Sequence, residues 1–270
     1  MAETKKKAFS GVSTASLFMR EMNEDALTVL KDLGVRCTEI FLTTFSEYTE
    51  SYARLLKSRA EGITVNSVHL LNTQFEPQLF GAHPRARKDA YDILDGAMRS
   101  AHIFGAEAYT FHGITRLKKS FSGLNYPKIA EDMREIAEVC ARHSVKLCLE
   151  NVHWAMYAEP GIFGELKKYF PGLSCVFDIK QARLSGYPYA MYIKDMEGGI
   201  SHVHLSDVDE SGKICLPGRG KTDFYDVFSR LKDAGFYGAA IVEVYTGDYK
   251  DYTELKQSCD FLDEMIDKVY

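Results

Sequence analysis

The feature that most constrains this chain is an alternation. Short apolar or β-branched runs are followed by longer amphipathic ones, eight times from end to end. Strand patterning marks residues 9–13, 37–42, 64–71, 107–112, 146–152, 174–179, 201–206 and 240–245. Helical periodicity fills the gaps, most clearly at 25–33, 52–60, 87–104, 126–143, 224–234 and 252–269. Gly34, Gly62, Gly105, Gly172 and Gly235 stand where helices should stop. Strands that alternate with helices run parallel and are joined by crossovers. Eight such units in 270 residues match the size of a closed (β/α)8 TIM barrel. An open doubly wound sheet is the competitor, but the Gly-rich phosphate loop expected after its early strands is missing. No Pro/Gly/Ser-rich linker divides the chain, so 1–270 reads as a single domain.

Composition narrows the function classes. A net charge of −5 speaks against a binder of phosphate backbones, which presents a basic face. No run approaches the roughly 20 apolar residues of a membrane helix. The opening MAETKKKAF is polar, with Lys5–Lys7 reading as a solvated tail and no signal-peptide core. Six cysteines without a C-x-x-C pair indicate neither a zinc knuckle nor a disulfide framework. The expectation is a reduced, cytoplasmic protein.

The chemistry lies in strand parity. Alternate strand residues face opposite sides, and the outer side of a barrel packs on helices. In KLCLENV, Leu147 and Leu149 suit the outside, which turns Glu150 inward. In SCVFDIK, Phe177 and Ile179 are outward and Asp178 is inward. In SHVHLSD, Val203 and Leu205 are outward, so His202, His204 and Ser206 point in. Val242 and Val244 likewise turn Glu243 inward, and the same test directs His69 and His112 inward. Glu150, Asp178, His204, Glu243, His69 and His112 therefore converge near the C-terminal ends of their strands, where barrel active sites are built. Burying them together is costly unless they pair or bind a cation. Mixed carboxylate and imidazole donors suit Mn²⁺, Mg²⁺, Co²⁺ or Zn²⁺.

ENVHW after the fifth strand, VFDIKQA after the sixth, SHVHLSD in the seventh and IVEVY in the eighth resemble the xylose isomerase-like TIM-barrel superfamily. That superfamily includes sugar isomerases and epimerases, inosose dehydratases and endonuclease IV. Resemblance to its ketose 3-epimerase branch implies Glu150, Asp178, His204 and Glu243 as ligands of one divalent metal ion. It also implies Glu150 and Glu243 as the catalytic pair, passing a proton through a metal-stabilised enediolate of a sugar or sugar phosphate. Arg219, in LPGRG, resembles the branch's substrate-contacting arginine. The match departs at the sixth strand, where many relatives have Asp-x-x-His and this chain has Gln181. An amide hydrogen-bonds a hydroxyl but moves no proton. The missing histidine and a missing Asp-x-His pair make a three-zinc nuclease, and nucleic acid as a partner, a poor fit. His69 and His112 resemble that nuclease's first zinc site, so they are candidates for a second metal or for substrate contacts.

Further candidates are weaker. Trp154 either stacks on a sugar or packs in the core. Glu39 contacts a hydroxyl or pairs with a base such as Arg36. Lys180 reaches an anionic group on the ligand or is an exposed loop lysine. His83, His102 and His143 read as surface residues, while Tyr187, Tyr189 and Tyr192 line the site or a subunit contact. Alternatives to the isomerase reading are an inosose-type dehydratase, a two-metal hydrolase and a non-catalytic sugar-binding protein. Barrels of this kind often pair, which makes a homo-oligomer the expectation by analogy.

Overall fold

Eight parallel strands close into one barrel in the structure, a computed structural model that describes residues 7–116 and 123–270. The first seven are β1 (Phe9–Ser13), β2 (Cys37–Leu42), β3 (Thr64–Leu70), β4 (Ala108–Phe111), β5 (Lys146–Glu150), β6 (Ser174–Asp178) and β7 (Ile200–Leu205). A short antiparallel pair, β8 (Asp207–Val208) and β9 (Ile214–Cys215), stands outside the ring before β10 (Ala239–Val242) completes it. Around the barrel the order is β1-β10-β7-β6-β5-β4-β3-β2, and β2 pairs with β1 to close it. The last strand stops three residues short of its expected end. Glu243 nevertheless continues the ladder, its N–H donating to the Leu205 carbonyl at 3.1 Å.

The helices are α1 (Asn23–Asp32), α2 (Glu50–Arg59), α3 (Glu76–Leu79), α4 (Pro84–Phe104), α5 (Tyr126–Arg142), α6 (Ile162–Tyr169), α7 (Ile179–Leu184), α8 (Tyr189–Asp195), α9 (Phe224–Asp233) and α10 (Thr253–Val269). In α4 the local signals agree. His83 accepts from the Ala86 N–H, Pro84 occupies the first turn, and Gly105 ends the helix at φ 92°. Between these caps Ala90, Leu94, Ala97, Ala101 and Phe104 form the buried stripe.

The outward strand residues sit in the main apolar core, Leu147, Leu149, Phe177, Val203, Leu205 and Val242 among them. Two small clusters are separate from it, Cys37 with Ala239 and Ile241, and Ala108 with Cys148 and Val176. By strand parity these face the barrel interior. No described helix is long and apolar enough to cross a membrane. All six cysteines are free thiols. Lys7 pairs with Asp267, and Lys5 and Lys6 lie outside the described residues.

Candidate active site

Above the apolar floor of the barrel lies a belt of hydrogen bonds centred on Glu39. Ser13, Ser67 and Thr110 donate their hydroxyls to its carboxylate at 3.1, 2.8 and 2.8 Å. With its one proton given to Glu39, Thr110 must accept from His202 Nε2, 2.9 Å away. His204 Nε2 lies 3.1 Å from Glu39 Oε1. Glu39 is wholly buried and does not line the cavity above. Its partners are the neighbouring strands' side chains, whereas Arg36 is on the surface.

At the mouth, three carboxylates converge on the other nitrogen of the same ring. His204 Nδ1 lies 2.8 Å from Glu150 Oε1, 2.7 Å from Glu243 Oε2 and 4.0 Å from Asp178 Oδ2. One N–H serves one acceptor. It bonds Glu150, and Glu243 Oε2 is left buried without a hydrogen bond. The ligand atoms of Glu150, Asp178, His204 and Glu243 all lie within 4.8 Å of one another. Three anionic oxygens crowded on one imidazole nitrogen, one of them orphaned, is the donor arrangement a divalent cation satisfies. The ring fits as well, because Glu39 holds its far nitrogen as a carboxylate holds a metal-bound histidine. His69, His112 and Glu150 form a second such group, as do Glu39, His69, His204 and Glu243.

Local folding sets this geometry. Asn151 bonds the backbone of Asp178 twice, accepting from its N–H at 2.7 Å and donating to its carbonyl at 2.8 Å. Asp178 ends β6 and also caps α7, its Oδ1 accepting from the Gln181 N–H at 2.9 Å. The helix therefore begins at once and turns Lys180 into the mouth, where only 3% of its side chain is exposed. Its Nζ lies 3.4 Å from Glu243 Oε1 and 4.7 Å from the centre of the Tyr245 ring. Behind His112, Glu76 of α3 accepts the His112 and Gly113 N–H groups at 3.0 and 2.9 Å.

Burial alone would neutralise these carboxyls, but the cations around them decide otherwise. Against the desolvation that pushes Glu243 up, His204 and Lys180 bring it down to about 2. Glu150 is likewise lowered against burial by His112 and His204. Asp178 goes the other way. Its burial, with the charges of Glu150 and Glu243, pushes it up to about 7 against Lys180. Burial would lower both His112 and His204. Glu76 and Glu150 nevertheless raise His112 to about 10, while Glu39 and Glu243 hold His204 well above the ordinary range. Two ionised glutamates thus flank a protonated imidazole.

A family model described as xylose isomerase-like TIM barrel matches residues 27–265. The chain belongs to that family. D-psicose 3-epimerase of Ruminiclostridium cellulolyticum is 22% identical over 225 residues, 79% of this chain and 75% of its own. Inosose dehydratase of Yersinia enterocolitica is 24% identical over 234 residues, covering 73% and 76%. Among solved structures, IolI protein with a bound zinc atom superposes with a TM-score of 0.77 at 16% identity, over 97% of this chain and 99% of that one.

In this xylose isomerase-like barrel a cavity of about 310 Å³ opens above the carboxylates. His69, His112, Glu150, Glu243, Lys180, Gln181 and Trp154 all line it. Asp178 and His204 are buried behind them. The rings of His69 and His112 meet Nε2 to Nε2 at 3.0 Å, and Trp154 packs on His112 at 5.2 Å between ring centres. Gln181 accepts from His153 at 2.6 Å, which leaves its amide N–H₂ for a ligand. Arg219 is elsewhere. Asp207 clamps its loop by accepting the Gly220 and Thr222 N–H groups, both at 2.9 Å, and a Cβ on Gly220 would lie 2.2 Å from the Val208 carbonyl. That tight turn sends the guanidinium to Glu254 and Gln257 of α10, each at 3.0 Å.

The tyrosines after Gln181 also point away. Tyr189 donates to Asp226 and Tyr192 to the Ala158 carbonyl, and with Tyr187 they are absent from the cavity wall. His83 and His102 are exposed, and His143 lies 2.9 Å from Asp95. Phe18, Phe41, Leu71 and Tyr245, which the sequence did not single out, are also in the wall. Parity in the runs 37–42, 64–71 and 240–245 could have found Phe41, Leu71 and Tyr245, each two residues past an inward side chain, whereas Phe18 lies outside any strand.

Proposed function

We propose that this protein is a divalent-metal-dependent carbohydrate epimerase or isomerase that moves a proton between Glu150 and Glu243. One observation carries the reading. Two glutamates, on strands separated by β6 and β7, are both held ionised within 3 Å of the same imidazole nitrogen. Glu150, Asp178, His204 and Glu243 would hold the ion, which supplies a Lewis acid for a substrate carbonyl when bound. One glutamate then takes the proton from the carbon beside that carbonyl, leaving an enediolate. The other first takes up a proton from its cationic neighbour, His112 beside Glu150 or Lys180 beside Glu243, and delivers it to the opposite face for epimerisation or to the neighbouring carbon for isomerisation, with solvent restoring both groups between turnovers. Lys180 keeps Glu243 anionic for this exchange, and the Gln181 amide and the Trp154 face bind hydroxyls and an apolar edge of the sugar. The likeness to D-psicose 3-epimerase supports a ketose.

The test is deuterium wash-in. Metal-reconstituted protein in D₂O, given a panel of ketoses and aldoses, should place deuterium beside the carbonyl by NMR, and Glu150→Gln and Glu243→Gln should abolish it. Near-full exchange in either variant sinks the assignment. A second reading, loss of water from a keto-polyol, draws on the likeness to inosose dehydratase and on protonated His112 beside Glu150 as an acid. It would show as a product with enone absorbance.

A further inference from the structure

Beside the catalytic cavity lies a larger cleft of about 700 Å³, between the loops that follow β1 and β2. The two spaces share a wall of two side chains, Phe18 and Phe41. These rings meet edge to face at 5.8 Å, and Phe41 packs in turn on the His69 ring at 5.0 Å. The catalytic cavity is at the lower end of the range for small-molecule sites, roughly 300 Å³, and the cleft is well inside that range.

The cleft's chemistry selects its occupant. Its carboxylates are Glu21, Glu24 and Glu47, and Arg20 is the only basic side chain in its described lining. Arg20 is already engaged, donating to the carbonyls of Thr246, Tyr249 and Lys250 and lying 4.2 Å over the Tyr249 ring. An anionic group would therefore meet net negative charge with no cation to hold it. Hydroxyl partners line one wall at Thr43, Thr44 and Ser46. On the other wall Met19 takes a left-handed φ of 72°, and its side chain is 82% exposed on the rim. A bulky residue held in that strained conformation with an apolar side chain in water is a feature of ligand-facing loops.

We infer that the substrate is a neutral glycoside whose reacting sugar carries a free carbonyl, as a reducing-end unit or a ring ketone. Its reacting sugar occupies the cavity over Glu150 and Glu243, and its second unit lies across Phe41 in the cleft. The inference rests on the carbohydrate reading above and names the substrate class for that site. Hydroxyls of the second unit would meet the threonine and carboxylate oxygens, and its apolar face would cover Phe18 and Met22. A phosphate on that second unit would be repelled by the same charges.

Calorimetric binding to metal-loaded protein tests this without requiring turnover. The probes are D-glucose, D-fructose and fructose 6-phosphate, the disaccharides sucrose, maltose and cellobiose, and phenyl β-D-glucoside. At least one two-unit ligand should bind about tenfold tighter than either monosaccharide. Ser46→Trp and Met22→Trp, on opposite walls, should remove that gain and leave monosaccharide affinity unchanged. A gain with a disaccharide makes the second unit a sugar, and a gain with the phenyl glucoside alone makes it an aromatic aglycone. The inference is overturned if no two-unit ligand gains, if the gain survives both variants, or if fructose 6-phosphate is the tighter ligand. Loss of deuterium exchange with the gain intact would refute the epimerase reading alone. Exchange on monosaccharides with no gain would refute only the cleft.

Discussion

Adding a divalent ion to the metal-stripped protein should release protons in a number that the site geometry sets. His204 must be neutral to coordinate, yet Glu39 and Glu243 hold its proton well above the ordinary range despite burial. At neutral pH that is close to one proton. Asp178, pushed up to about 7 by burial and by Glu150 and Glu243, contributes about half a proton more at pH 7. Glu150 and Glu243 contribute none, because both are lowered. The total is thus about two protons at pH 5.5 and about 1.5 at pH 7, falling further above pH 7 as Asp178 ionises. Each proton released raises the apparent affinity about tenfold per pH unit. Titration of Mn²⁺ into protein in buffers of different ionisation enthalpy measures the number directly. Zero protons at pH 7, or an affinity flat from pH 5.5 to 8.5, would mean that the ion does not displace the His204 proton and that the ligand set is wrong. A third proton at pH 7 would instead implicate His112 and a second ion.

Stability of the metal-free protein should fall as pH rises from 5 to 8.5. His204 and Asp178 both bind protons more tightly folded than unfolded, so the folded state gains below their folded values and loses as pH passes them. A melting temperature that climbs over that range contradicts this. Glu39→Gln keeps the volume but removes the charge facing His204 Nε2 and should weaken metal binding about 10- to 100-fold with the fold retained by circular dichroism. Unchanged affinity would reduce Glu39 to packing. Lys180→Met should shift the acid limb of the kcat profile upward, because the cation 3.4 Å from Glu243 is gone. An unmoved limb would remove Lys180 from the acid–base chemistry. Arg219→Ala should leave kcat and KM unchanged, since its exposed contacts to α10 are worth at most about 1 kcal/mol.

Parity placed the inward-facing cluster well and its surroundings less well, for one reason. Whether a strand residue faces in or out is a local property, so Glu150, Asp178, His204, Glu243, His69 and His112 could be assigned from six short runs. Height along the barrel axis is not local. Glu39 faces inward as parity requires, but it lies one layer deeper than a substrate contact, among Ser13, Ser67 and Thr110. Loops have no parity at all. Arg219 sits in a turn clamped by Asp207, whose bond from the Gly220 N–H joins residues thirteen apart and is signalled by no periodicity.

Lys180 marks where the two kinds of information meet. Reading it as a loop residue assumes that chain leaving a strand first runs into solvent. Here the strand's last residue is also the helix cap, so no loop exists between them. The carboxylate that forms part of the metal-competent cluster thus starts the helix that brings a cation beside Glu243. That cation stands one residue before Gln181, where the resemblance leads one to expect histidine. A histidine there could take or give a proton, whereas Gln181 can only orient a hydroxyl. On the function proposed above, the proton traffic is then left to Glu150 and Glu243, and Lys180 acts most strongly on Glu243, the nearer of the two. The two glutamates therefore stand in chemically unequal surroundings before any substrate binds.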